Sequence, residues 1–232
     1  MKALLLTAAV AGAAALVAVA PRATQLSDAP RSRVSVLPSP SLDVRDATRR
    51  GDEVAVFAGG CFWGIEAVFE HLKGVKHAES GYAGGEAKSP SYAQVSSGST
   101  GHAESVRVVF DPSQVSYGQL LQVFFGVAHN PTQLNRQGPD VGTQYRSMIL
   151  YANDEQKRVA ESYIAQLTAA HAFNQPIVTQ LVPLGTFHLA EAYHQDYLVH
   201  HPNEPYIVYN DMPKLVALKQ QFPGLYREGP AM

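Results

Sequence analysis

The chain has 232 residues, 46% of them hydrophobic and 9% aromatic, enough for one domain with extensions or at most two small ones. Its formal net charge is −2, unevenly spread: residues 1–50 hold seven basic and three acidic residues, leaving eleven basic and seventeen acidic beyond them. A folded portion of that sign is no binder of nucleic-acid backbones, which Lys and Arg clusters hold. The single cysteine, Cys61, excludes both an intramolecular disulfide and a multi-cysteine metal site.

The N-terminus reads as a targeting segment. Lys2 precedes an uncharged run over 3–20, and Ala18-Val19-Ala20 has the small-x-small form of a cleavage site. Pro21 fits cleavage poorly, so residues 1–20 are expected to be a signal peptide or, being about as long as a short membrane span, a retained anchor. Export to a periplasm or the cell exterior is the expected location. Residues 21–50, rich in Pro, Ser and Arg without an apolar period, are expected to be a disordered linker. The domain is placed at 51–228, with 229–232 as a tail.

Within the domain, 53–58 reads as a strand broken by Gly59-Gly60, and apolar residues at helical spacing follow over 61–72. A second strand is expected over 75–83, a polar loop over 84–101, and a third strand over 104–110. Ser116 caps a helix reaching about 128. After a long loop come a strand at 145–151, a helix at 154–170, a strand at 177–182, a helix at 187–200 and a short helix at 212–221. The opening order β-α-β-β-α-β is that of the split βαβ plait. The expected fold is therefore α+β, with a mixed, mostly antiparallel sheet and flanking helices.

Cys61 falls in the first turn of a helix, where exposed N–H groups favour an anion. Position alone predicts a lowered thiol pKa and a reactive thiolate. The alternative is small apolar filler. Glu104 opens the third strand on the face shared by Val106, Val108 and Phe110. Burial there would raise its pKa and keep a neutral, proton-donating carboxyl, whereas a solvent-facing strand end would leave it ordinary. Tyr82, Tyr145 and Tyr193 offer phenols that can donate to an oxyanion, or serve as core and surface aromatics. Asp140, after Pro139, reads by itself as a turn residue. His188, Glu191 and His194 step by three along the expected late helix, but the helical zinc signature is absent and no metal site is expected.

Five motifs in one order carry a resemblance. Gly60-Cys61-Phe62-Trp63-Gly64, Gly81-Tyr82-Ala83-Gly84-Gly85, Thr100-Gly101-His102-Ala103-Glu104, Gly142-Thr143-Gln144-Tyr145-Arg146-Ser147 and Ala190-Glu191-Ala192-Tyr193-His194-Gln195 together resemble the peptide methionine sulfoxide reductase A family, over about 52–227. The resemblance implies reduction of the S epimer of methionine sulfoxide, free or in oxidised proteins, as damage repair. It implies Cys61 as nucleophile, Phe62 and Trp63 as the pocket for the substrate methyl group, and Glu104 as the acid beside the sulfoxide oxygen. Tyr82 and Tyr145 would donate hydrogen bonds to that oxygen, Asp140 would hold the substrate or a water, and Tyr193 matches a motif position at the substrate site. No metal or organic cofactor is implied.

Many members of that family carry resolving cysteines near the C-terminus, and residues 225–232 hold none. A Cys61 sulfenic acid would then need an external thiol reductant: a thioredoxin-like protein, a glutaredoxin or a small thiol. A monomer is expected, with a membrane in contact only if the N-terminal segment is retained. Two other readings stay open at this level. One is a cysteine hydrolase with His102 or His194 as base to Cys61; the other is a binding module with an inert cysteine.

Overall fold

A computed structural model describes residues 36–43, 51–86 and 88–231. The expected signal or anchor segment, and most of the expected linker, lie outside the described residues. Among the described residues no helix is long and apolar enough to cross a membrane.

The elements are β1 (Glu53–Ala58), α1 (Phe62–Glu70), β2 (Val75–Ala83), α2 (Tyr92–Ser96), β3 (Ala103–Phe110) and α3 (Tyr117–Val123), which runs on into a π turn at Phe124–Ala128. Then follow β4 (Arg136–Gln137), β5 (Asp140–Val141), β6 (Met148–Tyr151), α4 (Asp154–Ala169), β7 (Gln180–Pro183), β8 (His188–Leu189) and α5 (Tyr197–His200). A second π turn at Ile207–Asp211 leads into α6 (Met212–Gln221). The main sheet runs β7-β6-β1-β3-β2-β8. Its pairings are antiparallel except β6 with β7. The inner order β6-β1-β3-β2 is that of the expected split βαβ plait, extended at both edges.

Strand period two decides where the core lies. In β1, Ala55 and Phe57 face the large helix-covered core, while Val56 and Ala58 face a smaller cluster with Met148 and Leu150. Phe57 stacks on Phe69 of α1 at 5.0 Å and on Phe124 at 4.9 Å. Each such buried side chain contributes about 1.5–3 kcal/mol by leaving water. β1 and α1 are thus clamped to one another, and the three residues between them, including Cys61, have little freedom. Gly60 turns with φ +108°, and a Cβ there would fall 2.7 Å from Gln137 Cβ. Only glycine meets both conditions.

Several sequence expectations need correction. The helix expected at 187–200 is instead β8, a 3₁₀ turn at Ala192–His194 and the short α5. The exposed edge of β2 captures this segment. Leu189 pairs with Gly81, and the Gln195 side chain accepts from Ser80 N–H and donates to Ser80 C=O. Asp196 at φ +52° then breaks the path between the 3₁₀ turn and α5, whose N-cap it is. The polar loop expected at 84–101 contains α2, opened by a Ser91–Gln94 capping box. Tyr145 lies in a 3₁₀ turn before β6 rather than in the strand, and β7 begins at Gln180. Part of the expected disordered linker is strapped to the domain: Gln122 Nε2 donates to Leu37 C=O (2.6 Å) and Tyr163 Oη to Pro38 C=O (2.9 Å).

Candidate active site

Cys61 is the N-cap of α1 and is buried. The first helical N–H, that of Phe62, donates to Glu104 Oε2 at 3.1 Å. The Trp63 N–H faces the sulfur without closing a cap hydrogen bond. The expected lowering of the thiol pKa is therefore overturned. Burial pushes the Cys61 thiol well up, the Glu104 and Asp211 carboxyls add to this, and the Trp63 N–H and the Lys214 ammonium only oppose it. The dipole of one helix end cannot outweigh desolvation of the sulfur.

Glu104 is 1% exposed on β3. Burial pushes its pKa up to about 8 against the Phe62 N–H, with Asp140 adding to the rise. Directly across the β2–β3 pairing stands Tyr82, fully buried. Its Oη donates to Glu191 Oε2 at 2.7 Å, while Glu191 Oε1 accepts from Tyr92 N–H at 2.9 Å. One carboxylate thus joins β2, α2 and the turn after β8. Burial and Glu104 both push the Tyr145 phenol up, with smaller contributions from Asp140 and Cys61.

The aromatic wall is larger than the sequence indicated. Phe62 is fully buried, tilted against Trp63 and Tyr82 at 6.4 and 5.9 Å between centroids. Trp63 stacks flat on Tyr197 at 3.7 Å and meets the edge of Tyr206 at 5.9 Å. Its Nε1 donates to His194 Nδ1 at 3.1 Å. Tyr206 Oη donates to Asp140 Oδ2 at 2.5 Å, placing Asp140 at the mouth of the same slot. Tyr193, by contrast, is 60% exposed, with its ring leaning on His194. Tyr197 and Tyr206, from the segments after it, are the tyrosines that touch Trp63.

Asp211 and Lys214 complete the surroundings. Lys214 Nζ donates to Asp211 Oδ1 at 3.0 Å, and Asp211 is fully buried. Sequence reading missed both, together with Tyr92, Tyr197 and Tyr206. The one available signal, Asp211 ahead of a helix with Pro213 in its first turn, points to an N-cap, yet the side chain makes no cap hydrogen bond.

Neither histidine of the hydrolase reading stands as a base to Cys61. His194 Nδ1 receives the Trp63 indole, so its other nitrogen carries the proton, and burial lowers its pKa. His102 Nδ1 accepts from Gly85 N–H, with its ring against His188. The corrected fold also removes the shared helix of His188, Glu191 and His194. Among the described residues no three His, Cys, Asp or Glu side chains converge to hold a metal ion.

A lone buried thiol beside a proton-holding carboxyl in an aromatic slot, on a split βαβ plait, defines a thiol-based oxidoreductase. The family model for peptide methionine sulfoxide reductase matches residues 53–224. A peptide methionine sulfoxide reductase MsrA 2 from Mesorhizobium japonicum is 59% identical over 78% of this chain and 93% of that relative. Another from Synechocystis is 51% identical over 81% of this chain and 88% of that relative. Among solved structures, methionine sulfoxide reductase A of Corynebacterium diphtheriae aligns with a TM-score of 0.58 at 37% identity, covering 68% of this chain and 78% of that one. Reduced Mxr1 from Saccharomyces cerevisiae gives 0.58 at 32%, covering 73% and 94%. The chain belongs to the peptide methionine sulfoxide reductase family. It is a peptide-methionine (S)-S-oxide reductase, which returns methionine sulfoxide to methionine at the expense of thiols.

Proposed function

We propose that Cys61 performs this reduction as the sole protein thiol, with Glu104 as its proton donor. The observation that carries the reading is the Glu104 carboxyl, buried, pushed to about 8, and tied to the N–H of the residue next to Cys61. Phe62 and Trp63 receive the substrate methyl and stem. Glu104 protonates the sulfoxide oxygen while the Cys61 sulfur attacks the sulfoxide sulfur, so an S–S bond forms as the S–O bond breaks. The hydroxide released then adds to the Cys61 sulfur, the S–S bond breaks, and methionine leaves with that electron pair. The thiol proton replaces the one Glu104 gave. The balance is Cys–SH plus sulfoxide giving Cys–SOH plus methionine, with the cysteine sulfur oxidised by two electrons. Tyr145 steadies the oxygen; Tyr82, expected to join it, gives its one O–H to Glu191 and instead backs Phe62 as part of the wall. Asp140 with Tyr206 closes the slot, and Tyr193 forms its outer rim.

An external thiol R–SH then attacks Cys61–SOH, releasing water and leaving a mixed disulfide, which a second thiol resolves. The chain's only cysteine is Cys61, so both thiols come from outside: a thioredoxin-like protein, a glutaredoxin or a small thiol. No prosthetic group enters these steps. The run at 3–20 behind Lys2 supports export, where damaged extracytoplasmic proteins would be the substrates.

The test is one turnover. Reduced protein mixed with one equivalent of methionine-S-sulfoxide and no other thiol should release about one methionine per chain and leave Cys61 reactive to dimedone. Absence of methionine, or methionine with no trapped sulfenic acid, defeats the reading. The mature N-terminus and its cell fraction test export.

A further inference from the structure

Gly64 is the third residue of α1, and an N-cap side chain such as that of Cys61 lies over the backbone of the second and third helical residues. Gly64 carries no side chain, and two groups occupy the space. A Cβ on Gly64 would collide with the Asp211 carboxylate and stand 2.7 Å from Lys214 Nζ. Asp211 arrives at the end of the π turn at Ile207–Asp211 and Lys214 in the first turn of α6 directly after it. Asp211 is fully buried, one oxygen holding Lys214 and the other without a hydrogen-bond partner among the described residues. Lys214 keeps 18% of its side chain exposed.

We propose that Lys214, held against Gly64 by Asp211, supplies the positive charge that stabilises the Cys61 sulfur as it becomes an anion. The role rests on Cys61 being the nucleophile. Lys214 acts through the sulfur's charge, and Asp211 is a positioning residue that brings the ammonium to the helix start. The other groups facing the sulfur are Glu104 from β3, with Tyr92, Tyr145, Tyr197 and Tyr206 around the slot. Lys214 is the cation among these groups. It also sets the polarity of the second half-reaction, because the thiolate of Cys61 leaves the mixed disulfide when the second external thiol attacks.

The two residues carry opposite charge, so substitutions at them have opposite signs. The measurement is the pH dependence of Cys61 alkylation by iodoacetamide in the full chain, without sulfoxide or any other thiol. Lys214→Met should raise the midpoint by about one unit, making alkylation at fixed pH about tenfold slower. Lys214→Arg should recover most of that loss. Asp211→Asn keeps an oxygen for the ammonium, removes the negative charge, and should lower the midpoint. A Lys214→Met midpoint that stays put or falls overturns the proposal, as does an Asp211→Asn shift in the same direction as Lys214→Met, the pattern of mere loosening. Should Lys214→Met not fold, as judged by circular dichroism, a midpoint that is unchanged or raised in Asp211→Asn overturns it alone. The methionine yield of the unsubstituted protein is read separately, so failure of the Cys61 mechanism and failure of the Lys214 role are distinguishable.

Discussion

The backbone N–H of Phe62 donates to Glu104 Oε2 at 3.1 Å. The first hydrogen-bond donor of α1 is thereby engaged with the Glu104 carboxyl and not with the Cys61 sulfur beside it. The bond draws the Glu104 carboxyl to the residue following Cys61, while burial of both groups keeps both protonated in the resting protein. In the proposed reaction the carboxyl lends its proton to the sulfoxide oxygen and regains one from the thiol, so both must start protonated.

Glu104→Gln keeps the shape and removes the transferable proton. The single-turnover rate should fall by about 10²–10³, in the range of general acid catalysis, with KM nearly unchanged. The unsubstituted rate carried by Glu104 should be full below about pH 8 and decline above it, since the folded pKa is near 8 and only the protonated form donates. Stopped-flow single turnovers against pH check both points. A large loss of affinity at an unchanged rate counts against Glu104 as the acid.

His194→Ala separates holding Trp63 from acting as a base. Trp63 is the only tryptophan, so its emission reports the loss of the His194 hydrogen bond and should shift in this variant. Single-turnover methionine formation should persist within about tenfold. Inactivation as complete as in Cys61→Ser would revive a base role for His194.

Gly64→Ala should destabilise, against the usual sign. In an exposed helix interior Ala is favoured over Gly by about 1 kcal/mol. Here the added Cβ must displace Asp211 and Lys214, an overpacking cost of about 1–3 kcal/mol. Thermal melts of the two proteins decide it, and a raised Tm shows that the pair yields easily.

Two further acids on α1 are buried away from the slot. Burial pushes Glu66 to about 8 and Glu70 to about 9, the latter with help from Glu66 and Asp196. Because these folded values lie above the unfolded one near 4.5, the stability the two groups confer is complete below about pH 4.5. It is lost progressively as pH rises through 8 to 9. Glu70→Gln should flatten the fall in Tm between pH 5 and 9. A melt series in which variant and parent fall equally would show that Glu70 is ionised at little cost.

The plait was legible because its signals are local. Alternating apolar residues over 53–58 and 104–110, the Gly59-Gly60 break and the Ser116 and Asn153 caps each read correctly within a few residues. The segment at 187–200 did not, although its composition suits a helix. Its backbone is claimed by the β2 edge through Gly81 and Ser80, more than a hundred residues earlier. The pattern within a segment cannot show a competing partner that distant.

The same division runs through the site. Cys61, Phe62 and Trp63 are consecutive, and Glu104 announces itself by sitting on an apolar strand face, so the sequence by itself determined the family and pointed to the candidate nucleophile and acid. Tyr206 against Trp63, Asp140 held by Tyr206, and Asp211 with Lys214 over Gly64 come from loops and π turns that have no period. The ionisation of Cys61 was also decided in three dimensions. A helix start favours a thiolate wherever it is found, but whether that preference survives depends on how much water and which charges surround the sulfur. Those are set by β3 and by the chain around α6, and the tertiary structure alone brings them to Cys61.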